Sequence, residues 1–428
     1  MAPTEILHQY FLSCSGVCTD TRTIRQGSLF FALRGANHDA NAFASEAIAK
    51  GSRYAVVDDP SVVADDHFLL VNDSLRALQE LGRYHRRRFR IPVLAITGSN
   101  GKTTTKELVH AVLGADRPTL ATEGNLNNHI GVPLTLLRMD GAHRIAIIEM
   151  GANRPGDIAQ LCGIAEPTHG LVTNIGKAHL EGFGGYDGVV RTKTELYTHI
   201  MERGGSLFVD QDNELLLGRS EGIPRVTYGT ARSSDTVGEA IANDPFLTLV
   251  FKGRDGRPHR VGTRLIGAYN LPNALAAVAI GQHFGVPDER IATALAAYEP
   301  GNNRSQFMDT GRNQLVLDAY NANPTSMATA LRNFAGMPGD RPKLAILGDM
   351  LELGAESRGE HDAIVTLVKD LGLDARFVGP EFHRSATRHA YPDSAALHQA
   401  LKDSPLTRHL VLLKGSRGIK LETVVPAL

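Results

Sequence analysis

The sequence predicts an α/β protein organised in three blocks, on three observations. Continuous apolar runs of strand length alternate with helical segments through the middle and C-terminal parts of the chain. That pattern belongs to parallel sheets covered on both faces. A glycine-rich turn, Gly98-Ser99-Asn100-Gly101-Lys102-Thr103, separates one such run (91–96) from a segment of helical character (106–113). Finally, 428 residues exceed what one ordinary core organises, so two or three domains are expected.

In chain order, the first block, residues 1–88, has short strand-like pieces at 28–33, 54–57 and 68–71 between short helices. An Arg-rich helix at 75–88 closes it. The second block, 89–301, opens with the strand that enters the glycine-rich turn and has further buried-strand runs at 145–148 and 171–173. The third, 302–428, alternates strands at 315–317, 344–347 and 411–413 with helices near 326–334 and 361–371. No internal repeat or low-complexity segment interrupts these blocks.

Composition excludes some functions. A 42% hydrophobic and 21% charged chain reads as soluble and globular, and a net charge of −1 gives no global attraction to nucleic acid or anionic membrane. No apolar stretch is long enough to span a bilayer, and the first residues lack the pattern of a signal peptide. Cys14, Cys18 and Cys162 form neither a disulfide framework nor a zinc cluster, so a cytoplasmic protein is expected. The basic cluster Arg83, Arg86, Arg87, Arg88 and Arg90 lacks an aromatic stacking platform. It reads as a solvated helix face or a domain-linker surface.

The chemistry starts at the glycine-rich turn. Between a strand and a helix, such a turn aims successive backbone N–H groups, and the positive end of the helix, at one anion. Lys102 would reach the terminal phosphates of a nucleotide and the Thr103 hydroxyl would hold Mg²⁺. The spacing is unusual, because Gly98 precedes Gly101-Lys102 by three positions where the common pattern has five. Glu149 ends the 145–148 run, where a carboxylate beside the phosphate-loop strand suits a Mg²⁺ ligand. His179 lies in a long polar loop with several glycines (173–184) and could ligate a second metal through neutral imidazole. Lys193 alone reads as a surface helical lysine. Asn270 and Asn273 flank Pro272 at the start of an alanine-rich helix. They suit helix capping or an adenine edge, and spacing alone favours capping. Arg304 and Asp318, from the third block, suggest a cleft closing over a nucleotide, Arg on phosphate charge and Asp on ribose hydroxyls. Loops 348–354 and 414–418 follow later strands, and Lys414 with Arg417 suits a carboxylate.

Together these residues resemble the Mur ligase family of bacterial cell-wall synthesis, over nearly the whole chain and in the family's order. The shortened glycine spacing is the family's own. Asp20-Thr21-Arg22 with 27–33 resembles its UDP-binding domain. Stretches 124–133, 318–327 and 348–354 with Glu360-His361 are most similar to the step that joins D-alanyl-D-alanine to UDP-N-acetylmuramoyl-tripeptide. The resemblance implies a small α/β UDP-binding domain (1–88), a central parallel-sheet ATPase domain (89–301) and a C-terminal Rossmann-like domain (302–428). The last would close over ATP and bind the dipeptide.

It also implies roles. Gly98, Ser99, Asn100, Gly101, Lys102, Thr103 and Thr104 would cradle ATP. Asn270 and Asn273 would flank adenine, and Arg304 and Asp318 would contact the nucleotide. Thr103, Glu149 and His179 would bind Mg²⁺, with two ions expected. Lys193 would be a carbamylated lysine whose added carboxylate supports the second ion. Lys102, Lys193, His179 and Arg304 are thus the implied catalytic set. Asp20, Thr21 and Arg22 would lie near uracil, and Asn127, Asn128, Asn321 and Asn323 would border the other substrate sites. Asn41 departs from the His common in relatives, and His129, at an often acidic position, is given no role. The implied reaction forms an amide through an acyl phosphate, in a monomer with no nucleic-acid partner. Diaminopimelate and lysine are both open as the third residue of the tripeptide. Competing readings are a ligase adding one amino acid to a UDP-dipeptide, a folate polyglutamate ligase, and a phosphate-loop switch without ligase chemistry.

Overall fold

Three sheets rich in parallel strands organise the chain, one in each block. The computed structural model describes residues 2–35, 37–301, 304–386 and 388–428. In the first block Val17–Cys18, Leu29–Phe31, Tyr54–Val57 and Phe68–Leu70 form an all-parallel sheet in that order. Side chains alternate across it. Leu29, Phe31 and Val56 pack with Leu7, Phe11, Leu78 and Leu81 of helices Thr4–Leu12 and Ser74–Arg86, whereas Phe30, Ala55 and Val57 pack with Ala44 and Ala47 of Ala44–Ala49.

Helix Ser74–Arg86 starts where the Asp73 carboxylate accepts the Arg76 N–H, and it joins the first block to the second. It packs on Gly131–Leu136 and Asp157–Ala165. A Cβ at Gly82 would come 2.8 Å from Pro133, so this crossing has no room for a side chain. Arg86 is buried and donates to the carbonyls of Ala165 and Phe89, while Arg87 pairs with Glu166. The cations meet the negative end of Asp157–Ala165. Arg86 and Arg87 therefore serve the junction, while Arg83, Arg88 and Arg90 are exposed.

The second block holds a nine-stranded sheet. Six strands are successive parallel neighbours: Arg225–Gly229, Ser206–Asp210, His169–Val172, Val93–Thr97, Ile145–Glu149 and Thr119–Ala121. Leu94, Ile96, Ile147 and Leu171 pack under helices Lys102–Gly114 and Leu271–His283, and Val93, Ala95, Ile148 and Val172 fill the other face. At one edge the sheet continues through Thr236–Asn243, Phe246–Lys252 and Pro258–Ile266, the last two pairings antiparallel. The sequence reading lacks these three strands.

In the third block the order is Gln306–Asp309, Gln314–Asp318, Leu410–Lys414, Lys343–Gly348, Asp374–Val378 and Ala390–Tyr391, parallel except for the first pair. The chain crosses from Gln314–Asp318 to Lys343–Gly348, winds outward, and returns to insert Leu410–Lys414 between them. The carboxyl ends of these three strands meet at a switch point, where open α/β sheets hold ligands. Among the described residues no helix is long and apolar enough to cross a membrane.

Candidate active site

Register builds the site. Ile96 lies beside Glu149 and Thr97 beside Val172, so the glycine-rich turn, the Glu149 carboxylate and Thr173 emerge at one sheet edge. Gly98 has φ +143°, and a Cβ there would lie 2.0 Å from the Thr173 Oγ1. Gly101, φ +78°, begins helix Lys102–Gly114, and a Cβ there would lie 2.7 Å from the Asn273 Oδ1. Only glycine combines that backbone with that proximity. The turn is braced from the neighbouring loop. The Asn100 N–H donates to Asn174 Oδ1 (3.0 Å), and the Gly176 N–H donates to Ser99 Oγ (2.9 Å). Lys102 folds back, its ammonium donating to the Gly98 and Ser99 carbonyls at 2.7 and 3.2 Å. Burial lowers its pKa, against the pull of Glu149.

The turn faces a cleft of about 1140 Å³ into which the third block also projects. Thr103 and Glu149 are buried at its floor, and His179 lines it. Glu149 Oε1 accepts from Asn127 Nδ2 at 2.8 Å, but the buried Oε2 has no partner among the described residues. A sealed carboxylate oxygen is costly unless something satisfies it. Hydroxyl, carboxylate and imidazole in one cleft fit a hard divalent cation such as Mg²⁺.

His179 has φ +51°, and its Nδ1 lies against the Glu352 carboxylate of the third block. Lys193, on helix Tyr186–Glu202, does not line the cleft but is buried behind its wall, 5.6 Å from the Phe183 ring centroid. Burial and then Lys102 hold its ammonium pKa well below the ordinary lysine value. Among the described residues it has no ion-pair partner.

Several expectations need correction. Neither Asn270 nor Asn273 caps the alanine-rich helix. Asn270 Nδ2 donates to the Ile266 carbonyl, Asn273 Nδ2 to Asn270 Oδ1, and Thr105 Oγ1 to Asn273 Oδ1. This relay stiffens the cleft wall beside the phosphate loop. Asn323, expected at the substrate, caps another helix, Pro324–Gly336. Its Oδ1 accepts the Ser326 N–H and its Nδ2 donates to Asn100 Oδ1 at 2.7 Å, outside the cleft lining. Lys414 is buried and donates to Asp318, so this pair is already formed and Arg417 alone is left for a substrate carboxylate.

Arg304 stacks 3.6 Å from the Tyr320 ring centroid, and its buried Nε has no partner among the described residues. Asn321 lines the cleft with Asn127 and Asn128, and Asn128 Oδ1 also accepts the Gly131 N–H. Asp20, Thr21 and Arg22 lie outside the cleft on the first block, Asp20 bound by the Arg22 guanidinium. Asn41 is an internal brace. Its amide donates to Asp39 and Asp58 and accepts the Asp58 N–H.

Comparison with known proteins agrees with this geometry. Residues 96–281 match the Mur ligase middle domain and residues 303–417 the glutamate ligase domain of Mur ligases. The UDP-N-acetylmuramoyl-tripeptide--D-alanyl-D-alanine ligase of Escherichia coli (strain K12) is 36% identical, over 97% of this chain and 94% of that protein. The chain belongs to the Mur ligase family. The Bacillus subtilis (strain 168) relative of the same name is 34% identical, over 96% and 92%. Among solved structures, MurF from Acinetobacter baumannii superposes with a TM-score of 0.87 at 31% identity, covering 98% of this chain and 97% of that one. MurF ligase from Thermotoga maritima in complex with ADP gives 0.85 at 27%, covering 97% of each.

This Mur ligase also brings to the cleft residues the sequence reading did not single out. Tyr320 and Glu352 lie inside stretches already marked as ligand loops. Asp210, whose carboxyl burial raises to about 6, ends strand Ser206–Asp210 just as Glu149 ends its own. A strand-end carboxylate was the available signal. Away from the cleft, Asp255, His259 and Asp288 converge within 4.8 Å. Asp255 there meets Arg257, and Asp288 takes Gln282 and the Arg254 N–H, so the cluster anchors a hairpin.

Proposed function

We propose that this Mur ligase uses ATP to join D-alanyl-D-alanine to UDP-N-acetylmuramoyl-tripeptide, giving the pentapeptide precursor of peptidoglycan. The observation that carries the ATP chemistry is the cleft itself. A phosphate loop, a carboxylate oxygen without a partner among the described residues, and an arginine from another block face one space. The choice of substrates rests on nearly full-length similarity to ligases of that name. In this reading residues 1–88 take the UDP end, 89–301 bind ATP, and 302–428 close over it and take the dipeptide, in a cytoplasmic monomer.

Catalysis here is positioning and charge neutralisation, with no protein nucleophile. The N–H groups of 101–103, at the start of helix Lys102–Gly114, hold the phosphates, while those of Ser99 and Asn100 are taken by Asn174 and keep the turn in shape. Lys102 exchanges its loop carbonyls for the terminal phosphates. Asn270 and Asn273 border adenine, and Arg304 and Asp318 approach from the third block. Thr103 and Glu149 Oε2 would hold one Mg²⁺, and His179 with a carbamate on Lys193 the second. When bound, Mg²⁺ neutralises phosphate charge and polarises the transferring group. Carbamylation needs the neutral amine, which adds CO₂ and releases a proton. The depressed pKa of Lys193 supports that form. The tripeptide carboxylate attacks the γ-phosphorus and ADP leaves. The dipeptide amine then attacks the acyl carbon, loses a proton, and phosphate departs.

The test is phosphate release with Mg²⁺-ATP, tripeptide substrate and D-alanyl-D-alanine, omitting each in turn. Release requiring all three, with pentapeptide identified by mass, is expected. Release supported by single amino acids would move the chain to another step of the family. Release independent of both substrates would leave only an ATPase switch.

A further inference from the structure

The loop after strand Lys343–Gly348 carries Glu352 in a left-handed conformation, φ +64°. Opposite it, on the second block, stands His179, also left-handed at φ +51°. Two such non-glycine residues facing one another across an interface mark a contact that the surrounding structure holds in place. That framework is visible. The Lys177 ammonium pairs with Glu360 at 2.5 Å, the Lys177 N–H donates to Thr325 Oγ1 at 3.1 Å, and a Cβ at Gly354 would already lie 3.0 Å from the Glu181 Cβ. At its centre the Glu352 carboxylate lies within ion-pair reach of the buried Nδ1 of His179, which makes no hydrogen bond of regular geometry among the described residues, so this carboxylate is the acceptor placed to take it. The ring nitrogen left for a ligand is Nε2, on a side chain that lines the cleft.

We propose that Glu352 is a positioning residue for the metal site, fixing the His179 ring through Nδ1 so that Nε2 is presented as the ligand atom. This rests on the reading of His179 as a metal ligand. Histidine ligands are commonly oriented by a carboxylate on the second nitrogen, which sets tautomer and ring direction. Here the carboxylate comes from a different block than the ligand. The site is complete only when the second and third blocks meet, so closure and metal binding are coupled.

Two measurements test it. Mn²⁺ binding in the presence of ADP, followed by the electron-spin resonance of the free ion, is compared across variants. Glu352→Ala should weaken binding by about 10- to 100-fold, the usual cost of losing such a partner. Glu352→Gln, which keeps an acceptor oxygen, should recover most of it. Lys177→Ala, which loosens the interface away from the ring, should stay within about threefold, since exposed ion pairs contribute little. Wild-type binding by Glu352→Ala beside a loss in His179→Ala would overturn the proposal, as would equal losses in Glu352→Ala and Lys177→Ala. Wild-type binding by His179→Ala would instead overturn the ligand reading beneath it. Independently, nitrogen NMR of the metal-free protein should find His179 protonated at Nδ1, and this preference should vanish in Glu352→Ala. A wild-type ring protonated at Nε2 would overturn the proposal even if a variant failed to fold.

Discussion

Lys102 and Lys193 carry opposite structural burdens. Among the described residues Lys102 donates only to its own loop, so removing it should leave the fold intact and delete one mobile charge. Lys102→Ala is expected to lower turnover by about 10²-fold or more, with an unchanged melting temperature. Wild-type-like phosphate release by that variant would remove Lys102 from the mechanism. Lys193→Ala vacates a buried volume beside Phe183, and added formate or acetate should partly restore turnover by supplying the missing carboxylate. A well-folded variant that small carboxylates leave inert would count against the carbamate. The sign of its pH dependence follows from the lowered pKa. The neutral amine persists toward neutral pH and is lost as pH falls through the lowered value, so carbamylation declines on the acidic side. That Lys102, Thr103 and Glu149 share one cleft was legible in the sequence because strand, turn and helix fix where each emerges. The burial of Lys193 was not legible, since alone it reads as a surface helical lysine and burial leaves no local trace. The capping role of Asn323 was not singled out, because a capping asparagine and a substrate-binding one look alike until the partner, Asn100, comes into view.

Secondary-structure elements were legible where both faces are buried. The runs at 145–148 and 411–413 appear as strands Ile145–Glu149 and Leu410–Lys414, every residue buried. Pro258–Ile266 stayed hidden because alternate positions are exposed and carry Arg260 and Arg264, so no continuous apolar run exists. The same sheet supports two predictions. Gly98→Ala forces a methyl into the Thr173 hydroxyl at a backbone angle alanine rarely adopts. It should cost about 1–3 kcal/mol in stability and weaken ADP binding at least about tenfold, measured by calorimetry. An alanine variant binding ADP normally would mean the turn is looser than its contacts imply. At the opposite end of the sheet His169 packs among Phe208, His283 and Phe284, and burial with the nearby His283 lowers its pKa to about 4. Between 6.5 and about 4 the unfolded chain binds the proton and the folded one does not. This contribution is therefore harmless above 6.5 and destabilises progressively as pH falls. Melting temperature should drop over that range less steeply in His169→Leu than in wild type, and parallel curves would contradict the assignment.

Across the whole molecule, the cleft exists because the third block docks on the second, and the docking contacts join residues with no sequence relation. Asn100 meets Asn323, Asn243 meets Asn333, Phe246 meets Phe307, and Lys177 meets Glu360. No local pattern announces such pairs, which is why the blocks were legible one by one while their shared surface was not. If turnover requires this docked arrangement, charge at its margin should tune the rate. The Lys177 side chain is half exposed, so its attraction to Glu360 is modest, at most about 1 kcal/mol. Reversing it replaces attraction with repulsion. Lys177→Glu should therefore lower kcat about fivefold, equivalent to about 1 kcal/mol, and the loss should shrink at high salt. KM for the UDP-linked substrate should change little, because the first block docks through helix Ser74–Arg86, remote from this contact. Adding Glu360→Lys restores opposite charges, and the double variant should return to within about twofold of wild type, since the coupling is pairwise. A double variant no faster than the single one would mean that Lys177 acts through its own loop, beside His179, and that the ion pair does not govern the meeting of the blocks.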